Sequence, residues 1–97
     1  MAVAKIGDTY FANLQDALDV VQEGETIEVL ADIPGDEGAA VYTYDGDAAF
    51  TLDLGGKSMA DRLTINSGTA TIQNGTINGR LDAYDSSTVT QIGRAHV

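Results

Sequence analysis

Residues 63–79 read LTINSGTATIQNGTING, in which short apolar segments are separated by Ser-Gly and Asn-Gly dipeptides. The segments are rich in strand-forming Leu, Ile and Thr, and each dipeptide is a strong turn signal. Free hairpins with strands of three or four residues are marginal in water. Strands this short become stable when successive turns of the chain stack, so that each strand pairs above and below. This stretch therefore favours a β-solenoid.

The same pattern continues on both sides of this stretch. Ile27, Leu52, Ile72 and Val89 are each preceded by Thr, at steps of 25, 20 and 17 residues. Such spacing indicates an irregular repeat of about one solenoid coil. Further strands are predicted in AAVYTY, AFTLDL, RLDAY and STVTQI, with Asp45-Gly46 and Gly55-Gly56 among the separators. An antiparallel meander or sandwich is the alternative mainly β arrangement.

The first 25 residues differ from the rest. Gly7-Asp8 separates VAKI from TYF, which predicts a small β-hairpin. Asn13 can cap a helix over about Leu14 to Glu23, which Gly24 would end. Apolar residues recur on one face of that helix, at Leu14, Ala17, Leu18 and Val21.

The predicted helix precedes the first coil. An open solenoid end exposes apolar interior and unpaired strand edges. We therefore predict an N-terminal cap over residues 1–25, coils over residues 26–91 and a separate tail over residues 92–97.

Three segments carry a resemblance to a known group of proteins. They are AKIGDTYFANLQDALDVVQEGETIEVLADI, TLDLGGKSM and LTINSGTATIQNGTING. They resemble the N-terminal cap and first coils of right-handed, pectate-lyase-like β-solenoid proteins of bacterial surfaces and phages. The resemblance covers about residues 3–91 and implies the fold more than the function, because this fold supports lyases, hydrolases, adhesins and virion parts. No catalytic motif of the enzyme members matches this chain.

Charge and composition narrow the function classes. The 97 residues include fifteen acidic and five basic side chains, which give a net charge of −10. This balance disfavours nucleic acids and anionic membranes as partners. Without cysteine there is neither a disulfide framework nor a thiolate metal site. No signal peptide is predicted at the start of the chain, and no cofactor is expected.

Several charged residues are candidates for chemistry, and each has a simpler explanation. Asp36, Glu37, Asp45 and Asp47 resemble part of a calcium loop, but the EF-hand spacing is missing, so solvated loop acids are the favoured interpretation. Carboxylate pairs for glycoside cleavage can be drawn at Asp53 with Asp61 or at Asp82 with Asp85. Pairs of this kind arise by chance among fifteen acids.

The basic residues of the predicted coils, Lys57, Arg62 and Arg80, are interpreted as scattered surface charges. No catalytic or metal-binding residue is therefore predicted.

Tyrosines offer the best candidate binding surface. Of Tyr10, Tyr42, Tyr44 and Tyr84, the pair Tyr42 and Tyr44 shares one side of a predicted strand. Flat rings suit sugar faces, so this pair is the predicted glycan contact. The competing interpretation is partial core packing with the hydroxyl groups in water.

The tail, QIGRAHV, holds Arg94 and the only histidine, His96. The codons ATC-GGA-AGA-GCA-CAC-GTC followed by TGA would encode Ile92 to Val97 and a stop. That string is a widely used sequencing adapter. We interpret these residues as adapter read-through after a truncated gene, and the alternative is a genuine basic tail.

Together these features predict a non-catalytic structural or binding segment of a larger β-solenoid protein. We expect it on a bacterial cell surface, among secreted proteins or in a phage virion as a tail or decoration protein. Its expected partners are glycans or host surfaces and further coils of its own full-length chain. The alternative is the N-terminal fragment of a polysaccharide lyase or glycoside hydrolase whose active site lies in later coils.

Overall fold

The computed structural model describes residues 2–33 and 41–92. This part of the chain is mainly β with a single helix, as predicted, and the helix has seven residues. In chain order the elements are β1 (Ala4–Ile6), β2 (Thr9–Phe11), α1 (Leu14–Val20), β3 (Thr26–Val29), β4 (Val41–Tyr44), β5 (Ala49–Asp53), β6 (Ser58–Met59), β7 (Arg62–Gln73), β8 (Thr76–Ile77) and β9 (Leu81–Ile92).

The predicted N-terminal hairpin and helix are confirmed. β1 and β2 pair antiparallel around Gly7, whose φ of 57° suits the tight turn. α1 begins after Asn13, whose side chain accepts a hydrogen bond from the Asp16 backbone N–H at 2.9 Å. The helix ends at Val20, three residues before the predicted end, because the next residue adopts an extended conformation. Gly24, at φ 80°, lies in the following turn and does not end the helix.

Parallel pairing dominates the sheet after the hairpin. β1 pairs antiparallel with both β2 and β3. In this seven-stranded sheet β3 with β5, β5 with β7, β4 with β7 and β7 with β9 pair parallel. β6 and β8 also pair parallel, in a separate two-stranded sheet. The antiparallel meander is therefore wrong for TLDL, TIQN and TVTQ, which lie parallel in one sheet.

The register supports most of the predicted alignment. Leu52 lies between Ile27 on one side and Ile72 on the other. Ile72 pairs with Gln91, whereas Val89 pairs with Ala70, so the predicted alignment is wrong by two residues at its last step. A shift of two keeps a residue on the same face of a strand, which is why the hydrophobic pattern did not reveal it.

β7 and β9 each run as one twelve-residue strand where the sequence predicted two short ones. The separator Ser67-Gly68 lies inside β7, where Gly68 has a φ of 78°. The residues on both sides of Gly68 stay paired with β9, and the β7–β9 register shifts once, between Ile65 and Ser67. A left-handed glycine changes the direction of a strand, and the adjacent strand keeps the pairing.

Buried and more exposed side chains alternate along the strands, and the buried ones form one core. In β3, Ile27 and Val29 are buried while Glu28 is exposed, and in β5 Phe50 and Leu52 are buried between half-buried neighbours. The predicted helix face packs against the same core, which also contains Leu14, Ala17, Leu18, Val21, Leu63, Ile65, Ile72 and Ile77. The core therefore lies between the seven-stranded sheet, the helix and the two-stranded β6–β8 sheet, which contributes Met59 and Ile77.

Candidate functional site

The two tyrosines of the predicted glycan contact lie in different environments. Tyr44 is only 3% exposed, and its ring centroid lies 4.6 Å from that of Phe50. Its hydroxyl accepts a hydrogen bond from the Ala48 N–H at 2.9 Å. A ring packed in this way has no face to offer a sugar. Tyr42 is half-buried against the core, so the predicted glycan contact rests on Tyr42 alone.

The loop after β4 forms a groove with the helix. The groove has a volume of about 240 Å³, and Asp45 and Asp47 line it together with Leu18 and Asp19. The Asp45 carboxylate accepts a hydrogen bond from the Asn66 side-chain amide at 2.5 Å. Asp36 and Glu37, the other members of the predicted acidic cluster, lie outside the described residues. Within residues 2–33 and 41–92, no three acidic or histidine side chains are grouped closely enough to hold a metal ion.

The carboxylates of Asp53 and Asp61 have unlike surroundings. Asp53 accepts hydrogen bonds from the Gly55 N–H at 2.9 Å and from the Gln73 and Asn74 side chains at 3.3 Å, so it organises a corner of the chain. Asp61 is 3% exposed, and its Oδ2 has no hydrogen-bond partner among the described residues. Leaving a buried carboxylate oxygen unpaired costs stability.

Arg62 and Arg80 converge on one carboxylate, so these two bases are not scattered, although they balance an acidic charge as predicted. The Nε atoms of Arg62 and Arg80 lie 2.7 Å and 2.8 Å from the two carboxylate oxygens of Asp82. The hydrogen bonds from Arg80 and from Arg62 lower the pKa of Asp82, and the Asp82 hydrogen bond raises the pKa of Arg62. Lys57 lies elsewhere, on a groove with Glu28 and Asp53.

This arginine cluster (Arg62, Arg80 and Asp82) also changes the interpretation of Asp82. Its carboxylate has both oxygens engaged and only 14% of its side chain exposed. A carboxylate held ionised by two guanidinium groups is a poor general acid. The side chain of Asp85, its predicted pairing residue, lies outside the described part of the structure. The signal for the cluster was partly local, since Arg80 and Asp82 are two residues apart and share a side of the chain, and partly the register, since Asp82 pairs with Thr64 and so lies diagonally across from Arg62.

The helix contacts the edge of β4 through a polar side chain. The Gln15 amide nitrogen donates to the Thr43 carbonyl at 2.8 Å, and its oxygen accepts from the Thr43 N–H at 2.9 Å. The following turn contacts the first residue of β5, because the Ala49 N–H donates to the Glu23 carboxylate and the Ala49 carbonyl accepts from the Gly24 N–H. Side chains and turn backbone thus occupy positions that another strand would take. Sequence reasoning predicted a helical cap but missed Gln15, which is polar and lies beside the apolar stripe.

Comparisons with known proteins return no match: no family model, no curated protein and no solved structure resembles the chain significantly. The single helix of the described residues, α1, lacks the length and apolar character required to cross a membrane. His96 and Arg94 of the tail lie outside the described residues, whereas Ile92 is in β9 and pairs with Gln73.

Proposed function

We propose that this chain is the capped end of a right-handed β-solenoid and serves as a rigid, non-catalytic structural or binding segment of a larger protein. The observation that supports this most is the recurrence of parallel pairing at one repeat length. Leu52 pairs with Ile72, Tyr42 with Leu63, and Met59 with Ile77. These three pairings lie in successive parts of each repeat, as stacked three-sided coils would require.

Handedness follows from a general rule. Crossover connections between parallel strands of one sheet are right-handed in about 98% of cases, because of the strand twist. The connections from β5 to β7 and from β7 to β9 are of this kind. A right-handed coil is therefore the favoured form.

A structural role accounts for the polar residues better than catalysis does. Of the four carboxylates that were candidates for glycoside cleavage, Asp53 is engaged at a corner and Asp82 between two arginines. Gln15 protects the edge of β4, and Glu23 satisfies the Ala49 N–H at the start of β5. We propose a bacterial surface or secreted protein, or a phage virion, as the setting, and an export signal in the upstream reading frame would select the first.

Insertion of one coil tests the architecture. A copy of residues 54–73 inserted after Gln73 adds one complete repeat if the coils stack. We expect a folded, soluble protein that is longer by about 5 Å, the spacing of one strand, with a single and more stable urea transition. The control carries a scrambled insert of the same composition. If the repeat insertion abolishes cooperative unfolding just as the scrambled insertion does, the coils do not stack. That result would favour a sheet that closes on itself.

A second experiment tests the absence of catalysis. The purified chain is incubated with pectin and other acidic glycans, with and without calcium, and products are measured as new reducing ends and as unsaturated sugars. We expect none above the level of a heat-denatured sample. Turnover that disappears in Asp53→Asn or Asp82→Asn would instead support the enzyme alternative.

A further inference from the structure

The outer face of the seven-stranded sheet carries a regular set of threonines. One row crosses β3, β5, β7 and β9, where the register places directly opposite one another Thr26, Thr51, Thr71 and Thr90. A second row lies two residues earlier on β7 and β9, where Thr69 stands opposite Thr88. We call these six residues the threonine array.

Alternation places the array on the outside of the sheet. Thr71 lies between Ala70 and Ile72, and each of these two neighbours is 1% exposed. Successive side chains of a strand point to opposite faces, so the Thr71 side chain points away from the core. Residues directly opposite one another on paired strands share a face, so the other members point outward as well. The members on β3, β5 and β7 are half-buried beside their neighbours, and those on β9 are exposed.

The array repeats at two fixed distances. Paired strands lie about 4.7–4.9 Å apart, and residues two positions apart on one strand are separated by about 6.4–6.8 Å. The registers run through the array without a shift, so both spacings continue from strand to strand. The β-branched threonine side chain has few rotamers, which holds its methyl and hydroxyl groups in a defined orientation. Side-chain ladders also accompany sheets with little twist.

The hydroxyl groups of the array are free to bind water. Among the described residues, none of these hydroxyl groups forms a side-chain hydrogen bond. Each hydroxyl offers one donor and two acceptor sites, and each methyl group beside it is apolar. The array contains neither a charge nor an aromatic ring, although the chain has a net charge of −10. Charged side chains begin in the next row, where Glu28 stands opposite Asp53.

We propose that the threonine array binds the surface of ice. On the primary prism face of hexagonal ice, water oxygens repeat along two perpendicular directions at distances close to the two spacings of the array. Water molecules that bridge the hydroxyl groups therefore occupy positions of the ice lattice, with the methyl groups between them. The array is ordered before it binds, so adsorption requires little further loss of side-chain freedom.

Ice fits this face better than a protein or a glycan does. The centres of protein interfaces are enriched in aromatic residues and arginine, and the array has neither. A sugar would find no ring on which to stack. A uniform spacing in two directions is of use to a partner that is itself a lattice.

Ice growth in solutions of the purified chain tests the proposal. At millimolar concentration, we expect a gap between the melting and freezing temperatures of a single ice crystal, and faceted crystals in place of round discs. The control is an unrelated acidic protein of similar size at the same concentration. Round crystals and a gap no larger than that of the control would overturn the proposal.

A matched pair of variants isolates the array. Thr71→Lys places a long charged side chain at the centre of the array. Thr9→Lys makes the same change on the opposite face, because Thr9 stands opposite Ile6, which pairs with the buried Ile27. We expect the temperature gap to fall at least about fivefold in Thr71→Lys and less than about 1.5-fold in Thr9→Lys, since contacts at the centre of a binding face contribute most. Equal losses in two folded variants would place the ice contact elsewhere.

Dye labelling locates the contact without any change to the array, so it does not depend on whether Thr71→Lys folds. The chain has no cysteine, and Thr9→Cys therefore provides a single labelling site on the opposite face. When a single crystal of ice grows in the labelled protein, we expect fluorescence on the primary prism planes. Exclusion of the dye from the ice, or adsorption on the basal plane alone, would contradict the lattice match.

Insoluble glycans provide the remaining comparison. We expect the chain to stay in solution when it is mixed with cellulose or chitin powder. Retention on either powder together with exclusion from ice would assign a glycan to this face and refute the proposal. The ice contact concerns only the outer face of the sheet, so it can fail while the proposed function stands.

Discussion

The side-chain amide of Gln15 hydrogen-bonds both backbone groups of Thr43, at 2.8 Å and 2.9 Å, although 28 positions separate the two residues. An amide side chain carries a donor and an acceptor next to each other, so it can satisfy both backbone groups of one strand residue. Gln15 therefore takes the place of a neighbouring strand along β4. This contact gives the N-terminal helix a defined task in addition to covering apolar residues.

Removing this contact should destabilise the protein. Gln15→Ala leaves the Thr43 N–H and C=O without their protein partner, and we expect a loss of about 1–2 kcal/mol in the free energy of unfolding. Gln22→Ala, an exposed glutamine just beyond the helix, should change stability by less than about 0.5 kcal/mol. Urea denaturation followed by circular dichroism measures both. Equal stabilities of the two variants would show that water replaces the Gln15 amide without loss.

The centre of the parallel sheet should be the most sensitive to truncation. Leu52 is 1% exposed and lies between Ile27 and Ile72. Leu52→Ala should lower the free energy of unfolding by about 2–5 kcal/mol, because it removes buried surface and leaves a cavity. Thr71→Ala, on the opposite face of the neighbouring strand, is the control and should cost less than about 1 kcal/mol. If Leu52→Ala cost less stability than Thr71→Ala, the face of the sheet that carries Leu52 would not be the buried one.

The corner at Gly79 should not accept a side chain. A Cβ at this position would meet the backbone carbonyl oxygens of Ala60 and Asp61. Backbone cannot move aside as a flexible side chain can, so Gly79→Ala should cost about 1–3 kcal/mol. Asn78→Ala changes the adjacent exposed residue and should be nearly neutral. Melting temperatures of the two variants test this, and a Gly79→Ala protein as stable as the wild type would argue against the close approach of these corners.

The arginine cluster should make stability depend on pH in the acid range. The pKa of Asp82 is lowered in the folded protein, whereas its unfolded value is about 3.9. The group therefore contributes stability above about pH 4, which is lost as the pH falls through the lowered folded pKa. Asp82→Asn should melt at a lower temperature than the wild type at pH 7, and the difference should shrink toward pH 2. A difference that does not change with pH would mean that the charge of Asp82 is unimportant.

Much of the fold was predictable because its signals are local. The hairpin at Gly7, the helix start at Asn13 and the alternation in β3 each depend on residues a few positions apart. Parallel pairing of the Thr-preceded segments was also predictable, from their spacing. The shift of two residues at Val89 was not, because it leaves every side chain on the same face.

The candidate sites were predicted less well, because they depend on distant residues. Tyr42 and Tyr44 look equivalent along the strand, yet packing against Phe50 buries only the second of them. Arg62 and Arg80 look scattered along the sequence, yet the pairing of Thr64 with Asp82 brings Arg62 within reach of the carboxylate that Arg80 also contacts. A side chain's chemistry can be read from the sequence, but its surroundings depend on which strands pair.

By itself, the sequence determined that the chain is acidic and mainly β, with short strands, glycine-rich corners and one amphipathic helix at its start. These properties follow from composition and from local periodicity. Only the tertiary structure decided that Gln15 covers β4, that Asp82 joins two arginines and that Val89 pairs with Ala70. The first depends on where the helix packs, 28 positions away from β4 along the chain. The other two depend on the register between strands about one repeat apart, which side-chain alternation constrains only to within two residues.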